Sequence, residues 1–340
     1  MANEKVTSVD VAKRAGVSQS AVSRVFTPGA SASKETVEKV RKAAAELGYR
    51  PNVLARSLIT GRSRIIGLVV AYLDNYFYPE VVERLSVALQ QKGYHVLVFM
   101  ASPTVGDVES VLQEILDYQV DGLVLASVSM SSVLAGECQA LGIPVVLFNR
   151  DQDDARLSSV TTDNRAGGRA VAEHLVAIGR ERIAYIAGWE GASTQRDREL
   201  GLRDGLAAAG RSLYARGVGN FEHPQAREAT RRMFDRPDPP DAVFVCNDHM
   251  AFAVMDVLRF ELGLDIPGDV AVAGFDDVPP AAWPAYGLTT YRQRINRMVA
   301  ETVATLMDRI EGGGTEPRRI QLDGALVVRR STQGTEGQRT

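Results

Sequence analysis

Residues 9–25 restrict the fold of this chain more than any other segment, because they read as two short helices separated by Gly16. The first helix is predicted over residues 8–15, and the glycine supplies the left-handed residue that ends it. Ser18 stands where a serine hydroxyl would cap the second helix. Two helices joined this closely form a helix-turn-helix, a unit that places its second helix in the DNA major groove.

The second helix of this motif carries polar side chains that can face a nucleic acid. They are Ser18, Gln19, Ser20, Ser23 and Arg24. Glutamine can form a bidentate pair with adenine and arginine with guanine, so these residue types suit base edges. A plain surface helix would carry the same residue types, and the spacing alone leaves both interpretations open.

A third helix is predicted over residues 33–47, with Ser33 at its start and Gly48 at its end. The three helices would enclose a small apolar core, formed by Val9, Val11, Ala12, Ala21, Val22, Val25, Val37, Val40, Ala44 and Leu47. Residues 1–50 are therefore predicted to form an all-α helix-turn-helix domain.

Charge is distributed unevenly along the 340 residues. Residues 1–64 hold twelve Lys and Arg against five Asp and Glu, a net charge of +7, whereas the whole chain carries −3, so the remainder carries −10. A basic segment on an acidic body indicates that phosphate contacts are confined to that segment. The length also predicts more than one domain, because a single core rarely grows so large.

Residues 51–62 are predicted to form a hinge between the domains, since Pro51 can begin a short helix and Gly61 can end it. Helices below about 12–15 residues are marginal in water, so we expect this one to fold on a partner. Leu54 and Leu58 lie on one face of it. That face could dock on the body, or it could insert Leu58 between base steps of the minor groove as an apolar wedge.

From residue 65 onward, apolar strands alternate with amphipathic helices, which is typical of a parallel, doubly wound sheet. Strands are predicted at residues 65–71, 95–100, 122–126, 145–148, 183–187, 242–246, 270–275, 318–322 and 326–329. Helices are predicted at residues 80–91, 108–118, 165–178, 198–209, 250–260 and 293–310. These units suffice for two lobes within residues 63–330, with a cleft at the strand ends that would bind a ligand.

We predict an N-lobe of residues 63–160 and 290–318 and a C-lobe of residues 161–289 and 319–330. A flexible tail would follow at residues 331–340. Cys138 and Cys246 are isolated, and we expect them to be buried and reduced rather than paired.

Several compositional features bear on the compartment and the chemistry. No signal peptide is visible, and no run approaches the roughly 18 apolar residues of a membrane span, so we expect a cytoplasmic protein with no membrane partner. The four histidines lack the spacing of zinc ligands, and no phosphate-binding glycine loop occurs. No metal or cofactor and no enzymatic activity are therefore expected.

The chain resembles the LacI/GalR family of transcriptional regulators along nearly its whole length. The stretches that carry the resemblance are residues 11–18, 22–25, 47–52, 55–58, 162–164, 196–198, 246–248 and 273–277. The family resemblance implies an α/β fold with an N-terminal all-α helix-turn-helix head. It also implies a two-lobed parallel-sheet sensor domain similar to the type I periplasmic binding proteins.

The same resemblance implies which residues contact DNA. Gln19, Ser20 and Arg24 would read bases, with Ser18 and Ser23 beside them, and Asn52 and Ala55 would lie in the hinge. Leu58 would be the intercalating leucine of the hinge helix.

Candidate ligand-binding residues stand mostly at predicted strand ends. They are Asn75, Phe77, Tyr78, Ser127, Asn149, Asp151, Arg196, Phe221, Asn247 and Asp276. Arg196, Phe221, Asn247 and Asp276 are assigned by the family resemblance, which gives Arg198 a structural role. The aromatic side chains after the first strand could stack on a ring or belong to the core, and Asp151 could instead form a loop ion pair.

Asp276 and the adjacent Asp277 admit two interpretations. Neighbouring carboxylates can perform acid–base catalysis, and they can equally hold vicinal hydroxyls. The family resemblance favours binding, and the cleft then suits a sugar or a similar polar metabolite, with a purine as the second candidate.

Taken together, the features predict a homodimeric repressor that binds palindromic operator DNA under the control of a small-molecule effector. The alternative is a solute-binding protein of a transport system. That alternative explains the two-lobed body and leaves the basic amino-terminal segment without a purpose.

Overall fold

The structure is a computed structural model that describes residues 6–27, 30–50, 62–101, 105–312, 314 and 316–333. The chain divides into two compact units, which we call the head (Met1–Ser63) and the body (Arg64–Thr340). Within the described ranges, no helix is both long enough and apolar enough to cross a membrane.

The described residues of the head form three helices, α1 (Ser8–Ala15), α2 (Gln19–Phe26) and α3 (Lys34–Leu47), as predicted. The Asp10 carboxylate accepts hydrogen bonds from the backbone and the hydroxyl of Thr7, at 2.9 and 2.7 Å, and fixes the start of α1. The Ser18 hydroxyl accepts from the backbone N–H of Ala21 at 3.2 Å and caps α2. Gly16 ends α1 with a left-handed φ of 66°. These short-range hydrogen bonds set the tight turn.

The core of the head is small and largely as predicted. Its buried side chains are Val11, Ala12, Val22, Val40, Ala43 and Ala44, and Val25 and Leu47 pack against them. Two predictions are wrong. Val9 is 41% exposed, because two residues of α-helix place it about 200° from Val11 around the helix axis. Val37 lies in the first turn of α3 beside an open surface groove that it shares with Ala32 and Arg41.

The body alternates strands and helices along its length. Its first elements are β1 (Ile65–Val70), α4 (Phe77–Gln91), β2 (His95–Met100), α5 (Val105–Asp117), β3 (Gly122–Ala126), α6 (Ser132–Ala140), β4 (Val145–Phe148) and β5 (Ser158–Thr162). They are followed by α7 (Asn164–Ala177), β6 (Ile183–Ala187), α8 (Ser193–Ala208), β7 (Ala215–Val218), α9 (His223–Phe234), β8 (Ala242–Val245) and α10 (Asp248–Asp256). The last elements are β9 (Ala271–Asp276), β10 (Thr289–Arg292), α11 (Ile295–Ile310), β11 (Arg319–Leu322) and β12 (Ala325–Val327).

Two six-stranded sheets organise the body, in the orders β11-β5-β4-β3-β1-β2 and β12-β10-β9-β8-β6-β7. We call the sheets with their helices the first and the second lobe. Neighbouring strands are parallel, except that β12 runs antiparallel to β10. The prediction of two parallel-sheet lobes is confirmed. The chain crosses between the lobes after β5, after β10 and after β11.

Several predicted boundaries within the body are wrong. β5 continues to Thr162 in the first sheet and β10 continues to Arg292 in the second, so the boundaries predicted after residues 160 and 289 lie too early. Ser331 and Thr332, expected in a flexible tail, are buried, because Ser331 forms hydrogen bonds with Thr289 and Val272.

Residues 319–322 were expected in the second lobe, yet β11 pairs with β5 in the first sheet, with Arg319 opposite Ser159. Only Asp323 and Gly324 separate β11 from β12, so the third crossing is too short to show as a linker. Both cysteines, at positions 138 and 246, are buried and free, as expected.

Helices α7 and α8 pack with their backbones in direct contact. A Cβ atom on Gly168 would lie 2.1 Å from the carbonyl oxygen of Arg198, and one on Gly201 would lie 2.0 Å from that of Arg165. Only glycine permits so close an approach of two backbones. This contact holds α8 against the second sheet and so places Thr194 and Arg198 at the carboxyl ends of its strands.

We expect the Gly168→Ala substitution to lower the free energy of unfolding by about 1–3 kcal/mol, because the added methyl group overpacks a backbone contact. The matched control is Gly136→Ala in α6, where the nearest atom, at 2.9 Å, is the end of the flexible Arg156 side chain. That control should be neutral or slightly stabilising, since alanine favours helix more than glycine does. Urea denaturation of both variants measures the difference, and equal stabilities would contradict the role assigned to the α7–α8 contact.

Candidate functional site

The polar side chains predicted on α2 of the head are all exposed. They are Ser18, Gln19, Ser20, Ser23 and Arg24. The Gln19 amide donates to the Ser8 hydroxyl at 3.0 Å, so α1 helps to orient the start of α2. The Ser18 and Ser20 hydroxyls lie 2.9 Å apart. The exposed surface therefore combines hydroxyl, amide and guanidinium groups on one short helix. The predicted hinge residues Asn52, Ala55 and Leu58 lie outside the described residues.

In the body, a cavity lies between the two lobes, where strands β1, β3, β4, β8 and β9 end. Parallel sheets expose their ligand sites at the carboxyl ends of the strands. The cavity is lined by Tyr72, Asn75, Tyr78, Ser127, Asn149, Arg150, Thr194, Arg198, Phe221, Asn247 and Asp276.

Seven of the ten predicted ligand residues line this cavity. They are Asn75, Tyr78, Ser127, Asn149, Phe221, Asn247 and Asp276. Phe77 instead packs in the core of the first lobe, where its ring contacts that of Phe148 and only 1% of the residue is exposed. Asp151 forms an ion pair with Arg319 at 3.2 Å, which is the loop-pair alternative that the sequence left open.

Of the two arginines of α8, Arg198 and not the predicted Arg196 lies at the cavity. Arg196 is exposed, and its Nε donates to Asp197 at 2.8 Å, away from the cavity. Arg198 lies on the cavity instead. Because successive helical residues are about 100° apart, positions 196 and 198 point to nearly opposite sides of α8.

Arg198 is the best-connected charged side chain of the site and is 2% exposed. Its Nε donates to Asn164 at 2.8 Å, one Nη donates to the carbonyl of Cys246 at 2.7 Å, and the other reaches Asp276 at 3.4 Å. The guanidinium carbon sits 3.7 Å from the centroid of the Phe275 ring. These contacts hold one face of the guanidinium rigidly beside the cavity.

Asp276 is buried, and burial raises the pKa of its carboxyl group to about 6, while the positive charge of Arg198 acts in the opposite direction. Its Oδ1 accepts a hydrogen bond from the Gln293 amide at 2.8 Å, and the Gln293 oxygen accepts one from the Thr162 hydroxyl at 2.6 Å. The neighbouring Asp248 is also fully buried, and desolvation raises the pKa of its carboxyl well above the ordinary value. The network thus connects the cavity to the crossings after β5 and after β10.

Asp277 does not share the cavity with Asp276. Its carboxylate pairs with Arg292 at 2.5 Å and with Arg329 at 2.7 Å. The two adjacent aspartates therefore face different surroundings, and the geometry does not favour the acid–base interpretation. Asp276 is left as a buried acceptor for a ligand.

Strained backbone is concentrated around the cavity. Ser127, Asn149, Phe221 and Asp276 have φ values of 64°, 71°, 63° and 122°, in the region that favours glycine. Each such residue costs about 1–3 kcal/mol, and strain of this kind clusters at ligand sites. A Cβ on Gly188 would lie 2.2 Å from the Phe221 ring, so this glycine makes the room that the aromatic side chain occupies.

Two buried polar atoms at the cavity have no hydrogen-bond partner among the described residues, Asn149 Oδ1 and Arg150 Nε. Arg150 is 3% exposed, and its guanidinium carbon lies 5.6–5.9 Å from the ring centroids of Tyr72, Trp189 and Phe221. Buried polar groups in folded proteins are almost always paired. Unpaired ones at a cavity indicate a polar ligand.

The sequence prediction missed four lining residues, namely Tyr72, Arg150, Thr194 and Arg198. Arg150 directly follows the predicted Asn149 at the end of β4, so the same strand-end rule could have found it. Thr194 lies four residues before Arg198 and therefore on the same face of α8. Tyr72 carried no distinguishing pattern.

Comparison with known proteins gives matches to both units. Residues 8–52 match the model for bacterial regulatory proteins of the lacI family, and residues 172–332 match that for a periplasmic binding protein-like domain. The HTH-type transcriptional regulator CelR of Thermobifida fusca is 34% identical over 330 residues, which cover 94% of this chain and 96% of that protein.

Solved structures are similar over the same length. A complex of the transcriptional regulator CelR with cellobiose superposes with a TM-score of 0.72 at 33% identity, covering 96% of this chain and 100% of that one. The Lac repressor dimer bound to operator and the anti-inducer ONPF gives a TM-score of 0.86 at 28% identity, covering 97% and 100%. Both units of this chain thus have counterparts in single proteins.

The raised pKa of Asp276 predicts a pH dependence of stability. The native carboxyl binds its proton more tightly than the unfolded one does. The contribution of Asp276 to the free energy of unfolding should therefore increase as pH falls from 7.5 toward 5, and it is lost when pH rises through about 6. Compared with the Asp276→Asn variant, the wild type should gain about 1 kcal/mol of unfolding free energy when pH is lowered from 7.5 to 5. Denaturant unfolding at both pH values measures this gain, and a constant difference would contradict it.

Proposed function

Because the chain belongs to the LacI family of bacterial regulatory proteins, we propose that it represses transcription by binding a specific operator under the control of a small polar effector. One observation carries the proposal. A single chain joins an exposed polar helix-turn-helix surface to a buried cavity in which Asn149 Oδ1 and Arg150 Nε lack partners. The first feature serves to read DNA and the second to hold a ligand.

The proposed DNA contacts follow from the chemistry of the exposed face of α2. Gln19 and Arg24 present the groups that pair with adenine and guanine in the major groove, and Ser20 can donate to either. Asn52, Ala55 and Leu58, from the hinge, would contact the operator beside them. Leu58 would enter the minor groove and kink the site.

We propose that the chain acts as a dimer on a palindromic operator. The similar Lac repressor structure is a dimer bound to operator, and this chain matches it over 97% of its length. A two-fold protein presents two reading helices, one helical turn of DNA apart, so the two half-sites are related by the same symmetry.

The effector that fits the cavity is a hydroxylated small molecule of the sugar class. The similar CelR structure contains cellobiose. In this chain the cavity offers acceptors at Asn149 and Asp276, amide and hydroxyl groups at Asn247 and Thr194, and guanidinium donors. Groups of this kind match a ring of alternating hydroxyls, each of which both donates and accepts.

Control of operator binding by the effector would pass through the crossings between the lobes. The cavity residue Asp276 contacts Gln293, which contacts Thr162, and both of these last residues lie at crossings. Across the cleft, the Asp151 backbone N–H also donates to the Ser193 hydroxyl at 3.0 Å. A ligand that favours one arrangement of the lobes thereby changes operator affinity, and operator DNA changes ligand affinity by the same factor.

The test of this function is in vitro selection of DNA by the purified full-length chain, followed by affinity measurements on the selected site. We expect a palindromic sequence, and we expect Arg24→Ala to cost about 1–3 kcal/mol and to relax the preference at one base pair of each half-site. The matched control is Arg41→Ala, which removes an exposed arginine from α3. It should leave base preference intact and weaken binding, if at all, to all sequences alike.

Selection that enriches no sequence over random DNA would overturn the proposed function. An unchanged base preference in the Arg24 variant would overturn the assignment of that residue.

A further inference from the structure

We propose that the effector carries an anionic group, a carboxylate or a phosphate, and that this group pairs with Arg150. The inference deepens the proposed function and rests on it, since it names the chemical class of ligand for the same cavity.

The charges that line the cavity do not balance. Arg150, Arg198 and Asp276 are its ionisable lining residues with a formal charge at neutral pH. Asp276 lies 3.4 Å from Arg198, and that pair is neutral as a whole. Among the described residues, Arg150 has no carboxylate within 4.0 Å. The cavity therefore holds one buried positive charge in excess.

The surroundings of Arg150 are aromatic and neutral. Three ring faces lie within 6 Å of its guanidinium carbon, and its neighbour in sequence, Asn149, is uncharged. Aromatic faces stabilise a cation only weakly compared with an anion. Burial of an arginine without a paired anion is costly, so the site is incomplete without a negatively charged partner.

Two carboxylates that act on the neighbouring Tyr72 do not supply that partner. Asp74 and Glu222 act electrostatically on Tyr72. The Asp74 side chain is 74% exposed and faces His249, whereas Glu222 is exposed and accepts a hydrogen bond from Gln225 at 2.5 Å. Both carboxylates are solvated at the surface, and water screens their charges from the buried guanidinium.

The remaining polar atoms show how such a ligand would lie. Arg150 Nε is an unpaired donor on one side of the cavity, and the adjacent Asn149 Oδ1 is an unpaired acceptor. Asp276 and Asn247 offer polar groups on the opposite lobe. An anion at Arg150 with hydroxyls facing the other groups describes a sugar acid or a sugar phosphate.

The first test needs no ligand and compares the thermal stability of two variants of the full-length protein. Arg150→Met removes the unpaired charge and keeps an apolar side chain against the rings, so its Tm should be higher than that of the wild type. Arg198→Met is the matched control: it leaves Asp276, Asn164 and the Cys246 carbonyl without their donor, so its Tm should be lower. A Tm of the Arg150 variant below that of the wild type would overturn the proposal.

The second test compares matched neutral and anionic probes by isothermal titration calorimetry. The pairs are D-galactose with D-galacturonate, D-glucose with D-glucuronate, and D-ribose with D-ribose 5-phosphate. We expect an anionic probe to bind more tightly than its neutral counterpart, and Arg150→Met to weaken that binding about 10- to 100-fold, the range for losing a charge-assisted hydrogen bond. Arg150→Lys should recover part of the affinity. The carboxylate and phosphate arms distinguish the two sources of the anion.

Neutral probes that bind as tightly as their anionic counterparts, or an equal loss for both in the Arg150→Met variant, would overturn the proposal. If no probe binds, the Tm comparison decides. The proposed function can fail independently of this inference. If a neutral sugar changes the protein's affinity for operator DNA, the proposed function stands and the anionic effector is ruled out. If no operator is selected, the proposed function itself is ruled out.

Discussion

The buried contact between Arg198 and Asp276 is the interaction on which the rest of the body depends. Glycines at positions 168 and 201 bring the backbones of α7 and α8 together, and Arg198 reaches Asp276 from this closely packed helix. Asp276 in turn accepts a hydrogen bond from Gln293, at a crossing between the lobes. Helix packing, the cavity wall and the connection between lobes therefore share a single polar network. A change at any of these positions alters all three.

Unfavourable backbone conformations and unpaired polar atoms occur together at the cavity. Strained backbone at positions such as Asn149 and Asp276 lies beside polar atoms without partners. In a small-molecule sensor this arrangement is useful, because a ligand that supplies the missing contacts gains affinity from groups that are already fixed in place. The same groups lower the stability of the ligand-free protein, a known conflict between stability and function.

The sequence predicted the bounds of α1 and α3 to within one residue, because caps such as Gly16 and Ser33 act through hydrogen bonds a few residues away. It predicted the lobes from apolar strands but missed β5, β7 and β10, which lack a continuous apolar run. Four of the five residues of β5 carry hydroxyls, although the strand is largely buried. The sequence prediction misplaced β11, since strand pairing between distant segments leaves no local pattern. Within the site, strand-end residues were found, whereas the choice between Arg196 and Arg198 depended on the exact rotation of α8.

In the proposed function, ligand binding in the cavity and operator binding by the head are coupled within one molecule. The most direct measurement is the operator affinity of the full-length protein, determined by fluorescence anisotropy with and without a saturating probe that raises its Tm. Coupling between the two sites should change operator affinity about tenfold or more, which corresponds to a coupling free energy within the usual 1–3 kcal/mol. An operator affinity that is the same with and without the bound probe would contradict it.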